Sequence, residues 1–149
     1  MSDPSILIVD DEVSNFDVIE TILIHTNYQL NYVDSGLEAV KSLELFQPDL
    51  ILLDVMMPGM DGITTCQNIK AITRWQSVPI IMITALTTKE DLARCLEAGA
   101  DDFISKPLHP VELRSRVDYM FRIKKTNYDL KKKQKKTEKI VDMILCDMS

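Results

Sequence analysis

The sequence predicts an α/β fold: an open sheet of five parallel strands with helices on both faces, continued by an extended C-terminal helix. Two observations predict it. Short apolar runs recur along the chain without polar alternation, as strands covered on both faces require. Between them lie segments whose apolar residues repeat at helical spacing, so strand and helix alternate five times.

Ile6-Leu7-Ile8-Val9 is the first strong run, and it ends at Asp10-Asp11-Glu12. Val18, Ile19, Ile22 and Leu23 then form a helical stripe. Gln29–Val33 is a weaker strand, and Gly36 after Ser35 opens a helix with the stripe Leu37, Val40, Leu43 and Leu45. Leu50-Ile51-Leu52-Leu53 is the second strong run and leads into Asp54. Gly59 and Gly62 mark the loop before a third stripe of Ile63, Cys66, Ile69 and Ile72. Ile80-Ile81-Met82-Ile83 leads into Thr84; Leu92, Cys95 and Leu96 mark a fourth helix that Gly99 ends. Asp102–Ser105 is a second weak strand running into Lys106-Pro107, and Pro110 suits the first turn of a fifth helix. Short connections and right-handed crossovers favour the flavodoxin-like, doubly wound order 2-1-3-4-5, because a closed barrel needs eight units.

A chain of 149 residues with 46% hydrophobic and 27% charged side chains fits one domain with a tail, and its core needs no disulfide or metal staple. The net charge of -6 argues against a nucleic-acid-binding surface. That charge is uneven. Residues 1–109 hold 6 basic and 17 acidic side chains, whereas residues 110–149 hold 11 and 6. Cys66, Cys95 and Cys146 are odd in number and lack C-x-x-C spacing, so they read as reduced thiols of a cytoplasmic protein. His25 and His109 are isolated, which disfavours structural zinc. No secretory signal and no membrane-inserting run of ~20 apolar residues is legible.

In sheets of this order, ligands bind outside the carboxyl ends of the strands, at the switch between the first and third. The first strand delivers Asp10 and Asp11 there, the second strong run Asp54, the third Thr84, and the last strand Lys106. Singly, an Asp after a strand is a turn former or helix N-cap, and Asp101-Asp102 is assigned to that class. Together, three carboxylates repel unless a cation neutralises them. Oxygen-only ligands point to Mg²⁺ or Mn²⁺. A metal, an ammonium and a hydroxyl around one carboxylate describe phosphoryl transfer, with Asp54 as the nucleophile and Asp10 and Asp11 holding the metal.

These residues resemble the receiver domain of two-component response regulators. The similarity lies in Leu7-Ile8-Val9-Asp10-Asp11-Glu12, in Asp54-Val55-Met56-Met57-Pro58-Gly59-Met60-Asp61-Gly62, in Thr84-Ala85 and in Lys106-Pro107, and covers about residues 5–123. The resemblance implies that Asp54 accepts a phosphoryl group from a histidine kinase or phosphotransfer protein. It implies Mg²⁺ ligation by Asp11, Asp54 and the Met56 backbone carbonyl, with Asp10 acting mainly through water. Lys106 and Thr84 would contact phosphoryl oxygens, the Lys106-Pro107 bond would be cis, and Phe103 would be the aromatic switch that turns inward as Thr84 moves. It further implies a signalling phosphoacceptor, not an enzyme proper, with weak autophosphorylation and slow hydrolysis. Met56 and Leu86 would flank the approaching water; both are apolar, which favours a long-lived phosphoryl group.

The expected domains are a receiver over 1–123 and a helical extension over 124–149. One helix from Pro110 to Met148 would measure about 58 Å. Met120, Ile123, Asn127, Leu130, Gln134, Thr137, Val141, Ile144 and Met148 alternate spacings of three and four, a heptad seam that favours a parallel homodimer. The alternative is a single charged helix, with Lys131–Lys136 as its solvated face. No DNA-reading, cyclase or phosphatase module is legible, so the chain reads as a stand-alone regulator or as the amino-terminal piece of a longer protein. Two rival functions remain. A haloacid-dehalogenase-type phosphatase fits poorly, since Asp54 is followed by Val55-Met56 where that family needs D-x-D. A degenerate receiver-like binding module would not retain the whole acidic set with Thr84 and Lys106.

Overall fold

The computed structural model describes residues 3–85 and 88–147, without the side chains at 127, 128, 131, 132, 146 and 147. Contacts divide the chain into two units, Met1–Ser115 and Arg116–Ser149.

The first unit is a sheet of β1 (Ser5–Val9), β2 (Gln29–Val33), β3 (Leu50–Asp54), β4 (Ile80–Thr84) and β5 (Asp102–Ser105), ordered β2-β1-β3-β4-β5. All four pairings are parallel. The connecting helices are α1 (Val13–Ile22), α2 (Gly36–Ser42), α3 (Gly62–Lys70) and α4 (Lys89–Glu97), and α5 begins at Pro110. The flavodoxin-like order expected from the alternation is the one observed.

Every residue of β3 and β4 is buried, which explains their unbroken apolar character. One face of the sheet, with Leu7, Val9, Ile51, Leu53, Ile80 and Met82, joins a cluster with Leu43 near α2, Ile63, Cys66 and Ile69 of α3, and Cys95 of α4. The alternate residues Ile6, Ile8, Leu52, Ile81 and Ile83 are as deeply buried on the opposite face, as are Ile19 of α1 and Leu23 just after it.

Among the described residues, side-chain oxygens cap α2, α3 and α4. Ser35 accepts the Glu38 N–H at 3.1 Å, Asp61 the Thr64 N–H at 2.8 Å, and Thr88 the Asp91 N–H at 3.2 Å. Two members of the second predicted stripe lie outside the core: Leu37 and Leu45 are exposed. The helix stops at Ser42, so helical spacing does not reach Leu45, and Ala39 is buried on the face that Leu37 was expected to share. A short 3-10 turn, Thr73–Trp75, was not anticipated; it seats the fully buried Trp75. Asp101 is structural, but not as the turn former or helix N-cap expected of it: it bridges to β4 and to α3. Its Oδ2 accepts the Ile80 N–H at 2.8 Å and pairs with Lys70 at 3.2 Å.

α5 runs from Pro110 to Asp147. In the second unit Leu130, Ile140, Val141, Met143, Ile144 and Leu145 are exposed. Met148, the last position of the predicted seam, lies outside the described residues. Among those described, no helix is long and apolar enough to cross a membrane.

Candidate functional site

Register places the acidic groups side by side. Val9 pairs with Leu53, so the next residues, Asp10 and Asp54, leave the ends of neighbouring strands about 5 Å apart. Asp54 pairs with Ile83 and Thr84 with Ser105, which sets Thr84 and Lys106 at the same edge. The carboxylates of Asp10, Asp11 and Asp54 each offer an oxygen, and these all lie within 4.8 Å of one another. Asp10 and Asp54 are buried and Asp11 is exposed.

Asp54 Oδ1 lies 3.3 Å from Lys106 Nζ. The pair is close enough for charge attraction but not aligned as a hydrogen bond, leaving that buried oxygen without a hydrogen-bond partner. Burial, and then repulsion from Asp10, raise the Asp54 carboxyl above its ordinary range; Lys106 and the Met56 backbone offset only part of this. The lysine therefore does not balance the cluster. Three carboxylates offering oxygens at this spread, with one oxygen of Asp54 left unpartnered, suit a hard divalent cation, whose inner oxygens span up to about 4.2 Å at ~2.1 Å per bond.

Backbone bonds fix the surroundings. Lys106 N–H donates to the Thr84 carbonyl at 2.8 Å, and the Lys106-Pro107 peptide bond is cis. Past Asp54, Val55 N–H donates to Ile83 O at 3.0 Å and Gly62 N–H to Val55 O at 2.9 Å, closing the loop that bears Met56. A Cβ at position 62 would overlap the Asp54 carbonyl oxygen, so only glycine fits there. Gly59 turns the same loop with φ 73°. The Met56 side chain is exposed, Thr84 is fully buried, and Phe103 is half-buried against the core. Leu86, expected beside the approach to Asp54, lies outside the described residues.

The family model of the response regulator receiver domain matches residues 6–118. This chain belongs to that family. Among curated relatives, the receiver is 41% identical over 117 residues to a probable transcriptional regulator, ycf27, of Cyanophora paradoxa, covering 78% of this chain and 48% of that protein. It is 38% identical over 129 residues to the response regulator PleD of Caulobacter vibrioides, covering 87% of this chain and 28% of that one. The chain thus spans half or less of these relatives' length. Among solved structures, the receiver domain of a Syntrophus aciditrophicus signal transduction histidine kinase is 43% identical, with a TM-score of 0.74 over 78% of this chain and 89% of that one. The receiver domain of a Pseudomonas aeruginosa sensor histidine kinase, solved with a magnesium ion in its active site cleft, is 35% identical, with a TM-score of 0.73 over 79% and 97%.

Two side chains that sequence reasoning did not single out touch this receiver's acidic loop. Asn15 Nδ2 donates to Asp10 Oδ1 at 3.2 Å, and the Tyr32 hydroxyl donates to the Asp10 carbonyl at 2.7 Å. The available signal was modest: an amide in the first turn after a strand-end carboxylate, and a tyrosine at the carboxyl end of a neighbouring strand.

Proposed function

We propose that this receiver accepts a phosphoryl group on Asp54 from a histidine kinase or phosphotransfer protein and passes the change to an output through its C-terminal helix or a partner protein. The supporting observation is the buried Asp54 carboxylate with Lys106 Nζ at 3.3 Å and two further carboxylates close by. An Asp54 oxygen forms the new bond to phosphorus. The donor's P–N bond breaks, and its electron pair stays on the departing imidazole nitrogen. Lys106 keeps its proton and offsets phosphoryl charge as it builds.

Asp11, Asp54 and the Met56 carbonyl would hold Mg²⁺, with Asp10 behind a water; Mn²⁺ would serve the same ligands. When bound, the ion neutralises the acidic cluster and the incoming phosphoryl oxygens. Thr84 would donate to a phosphoryl oxygen and Phe103 would follow it inward as the switch. The receiver would comprise residues 1–123 and the extension 124–149, in a cytoplasmic protein. Intact-mass measurement after incubation with acetyl phosphate and Mg²⁺ tests the reading. The unaltered chain should gain one phosphoryl group and Asp54→Ala none; equal gain by both overturns it.

Met56 cannot orient water by hydrogen bonding, so the phosphoryl group should be long-lived. Hydrolysis within seconds in Mg²⁺ buffer, with no phosphatase present, contradicts this. The exposed seam residues Leu130, Val141 and Ile144 support a parallel homodimer through the C-terminal helix.

A further inference from the structure

Asp10 is tethered at its N–H, its carbonyl and one side-chain oxygen, and the tethers come from outside the residues that would meet the cation or phosphoryl group. Its N–H donates to Val33 O at 3.2 Å, extending the β1–β2 ladder by one bond. Its Oδ1 accepts both the Glu12 N–H at 2.9 Å and Asn15 Nδ2 at 3.2 Å. Its carbonyl accepts the Tyr32 hydroxyl at 2.7 Å. The Tyr32 ring is itself fixed, stacked on Phe16 of α1 with centroids 4.9 Å apart and planes 24° apart. One tyrosine thus ties together β2, the end of β1 and the first turns of α1.

A carboxylate crowded by Asp11 and Asp54 is pushed away from them when no cation is bound, and a loop that yields to this must be reassembled on binding. We propose that Tyr32 and Asn15 are positioning residues that hold the Asp10 backbone and one of its oxygens in place, so that the acidic cluster stands ready for Mg²⁺. This rests on the reading of the cluster as a Mg²⁺ site. The Tyr32 hydroxyl, as donor to the Asp10 carbonyl at 2.7 Å, fixes the backbone on which that carboxylate is mounted. Asn15 is neutral, so it steadies Asp10 without lessening the cluster's pull on a cation.

The test is calorimetric titration of the full chain with Mg²⁺ alone, in parallel with thermal melts in EDTA. Tyr32→Phe keeps the stacked ring and loses only the hydroxyl. Asn15→Ala removes the second tether and serves independently should Tyr32→Phe fold poorly. Thr21→Val is the control, since that hydroxyl bonds the Asp17 carbonyl at 2.9 Å on the same helix without touching the acidic loop. The expected result is a Mg²⁺ dissociation constant about tenfold higher in both site variants and unchanged in the control, the lower end of what a lost supporting contact at a metal site costs, because Asp10 acts through water. A melting temperature that falls with unaltered Mg²⁺ affinity would mark the tethers as merely structural and overturn the proposal. Failure of the unaltered chain to bind Mg²⁺ would instead overturn the cation site itself, and this inference with it.

Discussion

Cys66 shows how burial sets chemistry at a single position. Its Sγ sits 3.5 Å from the Ala98 carbonyl in the layer under α3 and α4, and desolvation pushes the thiol up to about 11, with Lys70 offsetting only part. Thiolate is the reactive form, so iodoacetamide at pH 8 should leave Cys66 unmodified in the native protein and label it fully in urea, as peptide mapping would read. The raised value also has a stability consequence. The native state holds the proton more tightly than the unfolded chain, so this contribution is complete below pH 9.0 and is lost as pH rises towards about 11. Urea midpoints across that window should fall. At position 62 the overlap that a Cβ would make is with backbone, which cannot swing aside; Gly62→Ala should cost on the order of 2–4 kcal/mol and displace the Asp54 loop. The sequence marked Gly62 as a loop residue and as the end of the family-like motif, but not the close approach to the Asp54 backbone that requires it.

At the scale of elements, local chemistry was legible wherever it was strong. The three uninterrupted apolar runs became β1, β3 and β4 within one residue at each end, and Ser35-Gly36 marked the start of α2. Periodicity failed where a helix was short: α2 has seven residues, too few for a stripe to average out, and Leu45 belonged to the turn beyond it. Trp75 escaped notice because a one-turn 3-10 segment has no period to detect. The capping of α3 by Asp61 gives an element-scale prediction. Asp61→Ala removes the acceptor of the Thr64 N–H and should lower stability by about 1 kcal/mol without preventing phosphorylation, as melts and intact mass together would establish. For α5, sedimentation of a chain ending at residue 123 should show loss of a concentration-dependent dimer. A dimer that survives truncation contradicts the proposed seam.

Across the whole molecule, the site exists because topology gathers residues separated by almost a hundred positions. Asp10, Asp54, Thr84 and Lys106 were legible as strand-end residues once a parallel sheet was inferred, since such a sheet has one carboxyl edge. Asn15 and Tyr32 were not, because their contacts depend on the loop path and on a ring stacked across two elements. Uncompensated charge at this edge predicts a global response to cation. Mg²⁺ should raise the melting temperature of the unaltered chain, and Asp54→Asn should do so without Mg²⁺ by about 3 °C, since it removes a buried charge that Lys106 does not balance. The central claim is narrower: Asp54, and neither neighbouring aspartate, receives phosphorus. Borohydride reduces an aspartyl phosphate to homoserine and so marks the acceptor permanently. After acetyl phosphate and Mg²⁺, peptide sequencing should find homoserine at position 54 alone, whereas homoserine at position 10 or 11, or none anywhere, would contradict the account.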